Sequence, residues 1–312
     1  WNFPYAIPTN GVVAALAAGN AVLLKPAPES VATAVELARH LREGGVPDDV
    51  VQLVRCPDDE VGRHLVTHPG VDGVVLTGAY ETAQLFLGWE PALRLIAETS
   101  GKNSLVITQP ADLDLALRYL VRSAFGHAGQ KCSAASLAVV EAPLYDDPAF
   151  HARLADAVRS LRVGPATELT TMVGPVIAPP SGKLRRGLTE LDAGESWLVE
   201  PRQLDDGGRL WSPGVRIGVQ PGSWFHRTEC FGPVLGVVRA ADLDEAIDIQ
   251  NGVDYGLTGG IHALDDAEIE RWLERVEVGN AYVNRHTTGA IVGRQPFGGW
   301  KRSSIGRGAK TG

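Results

Sequence analysis

Cysteine is scarce in this chain: Cys56, Cys132 and Cys230 are its only three, spread over 312 residues. An odd number at wide spacing makes no disulfide framework, and a reducing compartment, the cytoplasm, is expected. The cysteines also lack the close pairing of zinc ligands, so no metal is expected. No apolar run approaches the roughly 20 residues of a membrane-spanning helix, so no membrane span is expected. Positive charge is short as well. The net charge of −8 argues against a general nucleic-acid binder. There is no GxGxxG fingerprint, no internal repeat and no low-complexity tract. Methionine is missing from position 1. The chain opens on the apolar Trp1-Asn2-Phe3-Pro4-Tyr5, without the basic n-region and cleavage pattern of a signal peptide. This start, and a last stretch Gly308–Gly312 that reads as cut in a loop, predict a fragment whose N-terminal part is missing.

What is present is the composition of a folded globular protein, 44% hydrophobic and 21% charged, long enough for two domains. Asn10 to Gly19 reads as a buried helix. Short apolar runs then alternate with amphipathic ones. Strands are expected at 21–24, 50–54, 71–77 and 93–97, and helices at 31–43, 58–67 and 78–88, with Ser30 as an N-cap. That alternation predicts parallel βαβ units, in which ligands bind beyond the carboxyl ends of strands. Lys25, Thr77-Gly78 and Glu98 fall at such ends and form one candidate cleft. A second α/β block follows. Strands are expected at 104–107, 137–140, 215–219, 234–238, 258–262 and 280–284, and helices at 112–125, 150–161, 242–250 and 265–276. The region 170–206 has no clear period, and 287–312 reads as a loop.

The chemistry is best placed at Gly126-His127-Ala128-Gly129-Gln130-Lys131-Cys132-Ser133-Ala134-Ala135-Ser136. Small neighbours let backbone N–H groups approach a reacting atom. A thiol becomes a strong nucleophile as thiolate, and Lys131 can supply positive charge if it points that way. Taken alone, Cys132 reads first as a small buried hydrophobe, and the rest of the chain changes that reading.

Seven motifs occur in order: Trp1-Asn2-Phe3-Pro4, Lys25-Pro26, Thr77-Gly78, Glu98-Thr99-Ser100-Gly101-Lys102, Gly129-Gln130-Lys131-Cys132, Glu229-Cys230-Phe231-Gly232-Pro233 and Pro296-Phe297-Gly298-Gly299. Together they resemble the NAD(P)-dependent aldehyde dehydrogenase superfamily nearly end to end. Within it, Gln130–Ala134 and Thr288-Gly289-Ala290-Ile291-Val292-Gly293 resemble the nucleophile and aldehyde-anchor loops of the Δ1-pyrroline-5-carboxylate (glutamate-γ-semialdehyde) dehydrogenases.

The resemblance implies an α/β aldehyde dehydrogenase fold: a Rossmann-like cofactor domain over 1–101, an α/β catalytic domain over 102–286, and the anchor loop with the C-terminal segment over 287–312. It implies NAD-dependent oxidation of glutamate γ-semialdehyde to glutamate. Cys132 is the implied nucleophile, Glu98 the base that activates water, and Asn2 with the Cys132 N–H the oxyanion donors. For NAD it implies Trp1, Lys25, Thr77, Gly78, Glu229 and Phe231. For the substrate carboxylate it implies Ser133, Gly289 and Ala290. Pro28 and Ala79-Tyr80 depart from the common pattern and leave the NAD/NADP choice open. The resemblance also implies a homo-oligomer in the full-length parent, and allows a proline dehydrogenase domain ahead of this segment. Competing expectations are a sibling semialdehyde dehydrogenase, a truncated domain that only binds NAD or a partner, and a thiol hydrolase pairing Cys132 with His127. Cys56 and Cys230 are expected to be structural, and Arg294, Arg302 and Arg307 solvated loop charge.

Overall fold

The computed structural model describes residues 1–291 and 293–306. Val292 and residues 307–312, including Arg307 and the expected loop end, lie outside them. The chain divides into two compact units: residues 1–99, rejoined at Ile305, and residues 100–304.

The first unit alternates helix and strand: α1 (Ala6–Ala17), β1 (Val22–Leu24), α2 (Val31–Glu43), β2 (Val51–Leu53), α3 (Glu60–Thr67), β3 (Val74–Thr77), α4 (Tyr80–Trp89) and β4 (Leu95–Glu98). β1 and β2 pair in parallel, as do β3 and β4. Val12, Leu24, Ala34, Leu37 and Val51 pack one small core. Ala83, Leu95 and Ala97 make another, against which Ile305 packs. Two expectations need correction. The helix at 10–19 begins earlier, and Val12 is its only buried residue, because apolar side chains surround it rather than forming one stripe. Ser30 precedes α2, but its hydroxyl donates to the Ala27 carbonyl instead of capping the helix.

The second unit is built on a seven-stranded sheet. Its elements are β5 (Asn103–Ile107), α5 (Leu113–Phe125), β6 (Ala135–Glu141), α6 (Ala142–Tyr145), α7 (Pro148–Arg159), α8 (Gly182–Thr189), β7 (Ser196–Val199), β8 (Gly214–Ile217), α9 (Trp224–Arg227), β9 (Val234–Ala240), α10 (Leu243–Asn251), β10 (Tyr255–Gly256), β11 (Thr258–His262), α11 (Asp266–Arg275), β12 (Asn280–Val283) and β13 (Trp300–Lys301). The sheet order is β12-β11-β5-β6-β9-β8-β7, parallel throughout except for the edge strand β7. Its inner strands β5, β6 and β9 are almost wholly buried, as parallel strands covered on both faces must be. Asp112, Asp242 and Asp265 cap α5, α10 and α11 by accepting backbone N–H bonds. The aperiodic region 170–206 resolves into α8 and β7, both short. No helix among the described residues is long and apolar enough to cross a membrane. No group of His, Cys, Asp and Glu there could hold a metal ion.

Candidate active site

In the first unit the expected residues do fall at the carboxyl ends of strands. Thr77 and Glu98 are register partners at the ends of β3 and β4. The Gly78 N–H donates to the Glu98 carbonyl at 3.2 Å. Glu98 is buried. Gly78 leads into α4, whose N-cap Ala79 makes no side-chain cap hydrogen bond, so a helix N-terminus follows the end of β3. Lys25 follows β1 and pairs with the exposed Asp58 at 2.5 Å. Such a pair is weak and exchangeable. The side-chain nitrogen of Asn2 is shielded from water and meets no acceptor among the described residues. A shielded amide in that state gains from any anionic oxygen brought to it.

In the second unit the expected residues gather at the other pole, before the amino ends of the strands. Cys132 and Ser133 precede β6, and Glu229 and Phe231 precede β9. The approach to Cys132 is unusual. α5 stops at Phe125, and then His127, Ala128 and Gly129 all adopt left-handed backbone, with φ of 60°, 53° and 68°. For the two non-glycine residues that costs about 1–2 kcal/mol each, so the surroundings must hold them. They do so through Gln130, which is buried. Its side-chain oxygen accepts from Ile177 N–H at 2.8 Å, and its amide donates to the Pro175 carbonyl at 3.3 Å. Beyond Cys132, the Ser133 carbonyl accepts from the Thr287 hydroxyl at 2.9 Å, and Thr287 N–H donates to the Ser123 hydroxyl at 3.1 Å. These bonds tie the 286–290 segment to the cysteine loop.

Burial and the nearby Arg122 charge lower the Lys131 pKa, and the Cys132 charge acts against them. His127 is exposed. Glu229 is half-buried, and desolvation pushes its carboxyl up. The Gly101 N–H (2.8 Å), the Ser100 hydroxyl and Lys102 act against that shift. Burial brings Lys102 itself down to about 8. It also raises the Cys230 thiol, which fits an inert structural cysteine. A cavity of about 20 Å³ lies between the cysteine loop and Glu229, room for one water. Gly289 has φ +80° and is exposed with Ala290; the His286 ring lies 3.5 Å from where a Gly289 side chain would begin. Arg302 pairs with exposed Asp254, and Arg294 is exposed, as solvated loop charges.

Four positions escaped the sequence reading as individual residues: Lys102, Asn103 and the buried pair Arg216–Glu195. Lys102 lay inside a quoted motif. Nothing local marks the others, because their partners are distant in sequence.

The second unit sets a cysteine loop, wound left-handed ahead of β6, beside a half-buried Glu229, and the first unit ends β4 on a buried Glu98, all within an α/β fold. The chain belongs to the aldehyde dehydrogenase family, whose model matches residues 1–312. Among curated relatives, a 1-pyrroline-5-carboxylate dehydrogenase of Geobacillus sp. (strain WCH70) is 38% identical over 312 residues, covering 97% of this chain and 60% of the relative. One from Staphylococcus epidermidis is 39% identical, covering 100% and 62%. The chain thus spans about 60% of the length of such relatives. Among solved structures, Proline Utilization A (PutA) from Corynebacterium freiburgense is 56% identical with TM-score 0.95, covering 98% of this chain and 32% of that one. A Thermus 1-pyrroline-5-carboxylate dehydrogenase with bound NAD is 35% identical with TM-score 0.90, covering 98% and 60%.

Proposed function

We propose that the protein oxidises L-glutamate γ-semialdehyde, the open form of Δ1-pyrroline-5-carboxylate, to L-glutamate with NAD+. The observation that carries this reading is the Thr287 hydroxyl bond to the Ser133 carbonyl. It fixes the glycine loop 288–290 to the same backbone that carries Cys132. A loop rich in free N–H groups, set beside a nucleophile, suits an aldehyde with a carboxylate at its far end.

The roles follow the family. The Cys132 thiolate adds to the aldehyde carbon, and the new oxyanion takes hydrogen bonds from the Asn2 amide and the Cys132 N–H. NAD+, when bound, supplies the hydride acceptor. Loss of hydride from the tetrahedral carbon leaves a thioester on Cys132. Glu98 then takes a proton from water as the water oxygen attacks the thioester carbon. The C–S bond breaks, glutamate leaves and the thiolate returns. Cofactor binding falls to Trp1, Lys25, Thr77 and Gly78, the last leading into the N-terminus of α4, where a phosphate suits the helix dipole, and to Glu229 with Phe231 for the nicotinamide ribose. Ser133, Gly289 and Ala290 receive the substrate carboxylate.

Three thiols without a disulfide among the described residues suit a reducing cytoplasm. The likeness to PutA supports work beside a proline-oxidising domain, and the family supports a homo-oligomer. The test is NADH formation from Δ1-pyrroline-5-carboxylate by the longest polypeptide in which this sequence occurs naturally, beside Cys132→Ala. Glutamate from the first and none from the second is the expected result. Activity with other aldehydes only would reject the substrate.

A further inference from the structure

We infer that Asn103 is a positioning residue for the nucleophile: it holds the peptide carbonyl of Cys132 and so sets where the thiol stands. The inference rests on the reading of Cys132 as the nucleophile. Asn103 opens β5, 29 positions before the cysteine, and is buried. Its amide nitrogen donates one hydrogen to the Cys132 carbonyl at 2.6 Å and the other to the Ala134 carbonyl at 2.9 Å. Its side-chain oxygen accepts the Thr258 N–H at 3.0 Å. Both donors are therefore used on the two carbonyls that flank the turn after the nucleophile, and the acceptor is anchored to β11.

The Cys132 carbonyl is confined from another side. A side-chain carbon at Gly101 would stand 2.8 Å from it, so only glycine lets β5 enter this close. Fixing a carbonyl fixes the plane of its peptide, and with it one of the two soft torsions that orient the cysteine. The same entry segment accounts for Glu229, whose carboxylate accepts the Gly101 N–H at 2.8 Å. Two residues apart, Gly101 and Asn103 thus hold the residue read for the cofactor and the residue read for the chemistry. Replacing Asn103 by an apolar residue of similar size removes its bonds to two carbonyls and one N–H, and releases the loop.

The experiment compares wild type with Asn103→Leu in the longest natural polypeptide. It measures NAD affinity, kcat and KM with Δ1-pyrroline-5-carboxylate, and the rate at which iodoacetamide alkylates Cys132, followed by peptide mass spectrometry on folded protein. The expected result is a kcat and an alkylation rate lower by about tenfold to a hundredfold, as for a misplaced reacting group, with NAD affinity within twofold. Gly101→Ala, which presses on the same carbonyl, should lower alkylation likewise and serves if Asn103→Leu does not fold. Alkylation within twofold of wild type in the folded variants overturns the inference. So does a fall in kcat matched by an equal loss of NAD affinity. If the substrate reading alone is wrong, neither protein turns over the semialdehyde and the alkylation difference remains.

Discussion

Gly129 packs against the carbonyl of Gly232 so closely that a side-chain carbon on it would stand 2.2 Å from that oxygen. The contact joins the nucleophile loop to the loop that carries Glu229 and Phe231. Gly129 also has φ +68°, where any other residue is strained. Gly129→Ala must therefore move one loop off the other. The expected cost is roughly 3 kcal/mol of stability, seen as a melting temperature lower by several degrees, together with loss of Cys132-dependent turnover. A variant that melts and turns over like wild type would contradict the role of this contact.

The sequence made the strands and helices of both units legible because their apolar periods are regular, as in β5, β6 and α5. It was less informative where burial depends on partners far along the chain. α1 reads as buried from composition, yet only Val12 is. The region 170–206 has no period because α8 and β7 are short and half-covered. Candidate site residues could be named from motifs, but not how they are held. Asn103 reaches Cys132 across 29 positions, and Gln130 reaches Pro175 and Ile177 across 45 and 47. No local pattern encodes such pairings.

The glycine loop offers a test of substrate choice. Gly289 has φ +80°, and the His286 ring lies against it. Gly289→Val strains the backbone and crowds the loop read as the carboxylate anchor. The expected result is a KM for the semialdehyde higher by about tenfold or more, the worth of one good hydrogen bond to a charged group. KM for a small aldehyde without a carboxylate, such as propanal, should stay within twofold. Equal losses on both substrates would remove the anchor role.

Arg216 and Glu195 form an ion pair at 2.8 Å with both side chains only 1% exposed. The guanidinium also donates to the Gly187 and Glu190 carbonyls, at 2.7 and 2.6 Å, and lies over the rings of Phe225 and Trp197. Removing one charge leaves the other buried without its counter-ion, which costs about 3–5 kcal/mol. Glu195→Gln should lower the denaturation midpoint accordingly. The double variant Arg216→Met, Glu195→Leu should regain most of the loss, since an apolar pair bears no desolvation cost. A double variant less stable than Glu195→Gln would show that Arg216 contributes mainly through its carbonyl bonds.

His262 ends β11 with its Nε2 buried and without a partner among the described residues, and the Tyr119 ring 5.9 Å away. Burial lowers its pKa from an ordinary 6.5 to about 4. The unfolded chain therefore binds this proton at a higher pH than the folded one does. Stability is unaffected above about pH 6.5, falls as pH drops toward 4, and levels off below that. The shift corresponds to a loss on the order of 3 kcal/mol across the window. His262→Phe removes the titration while keeping a ring against Tyr119. The difference in unfolding free energy between wild type and variant should therefore change by that order between pH 7 and pH 4.5, in favour of the variant. Other buried histidines, such as His226, titrate in both proteins and cancel from the difference. Parallel stability curves over this range would mean that His262 is protonated as readily in the folded protein as in the unfolded chain.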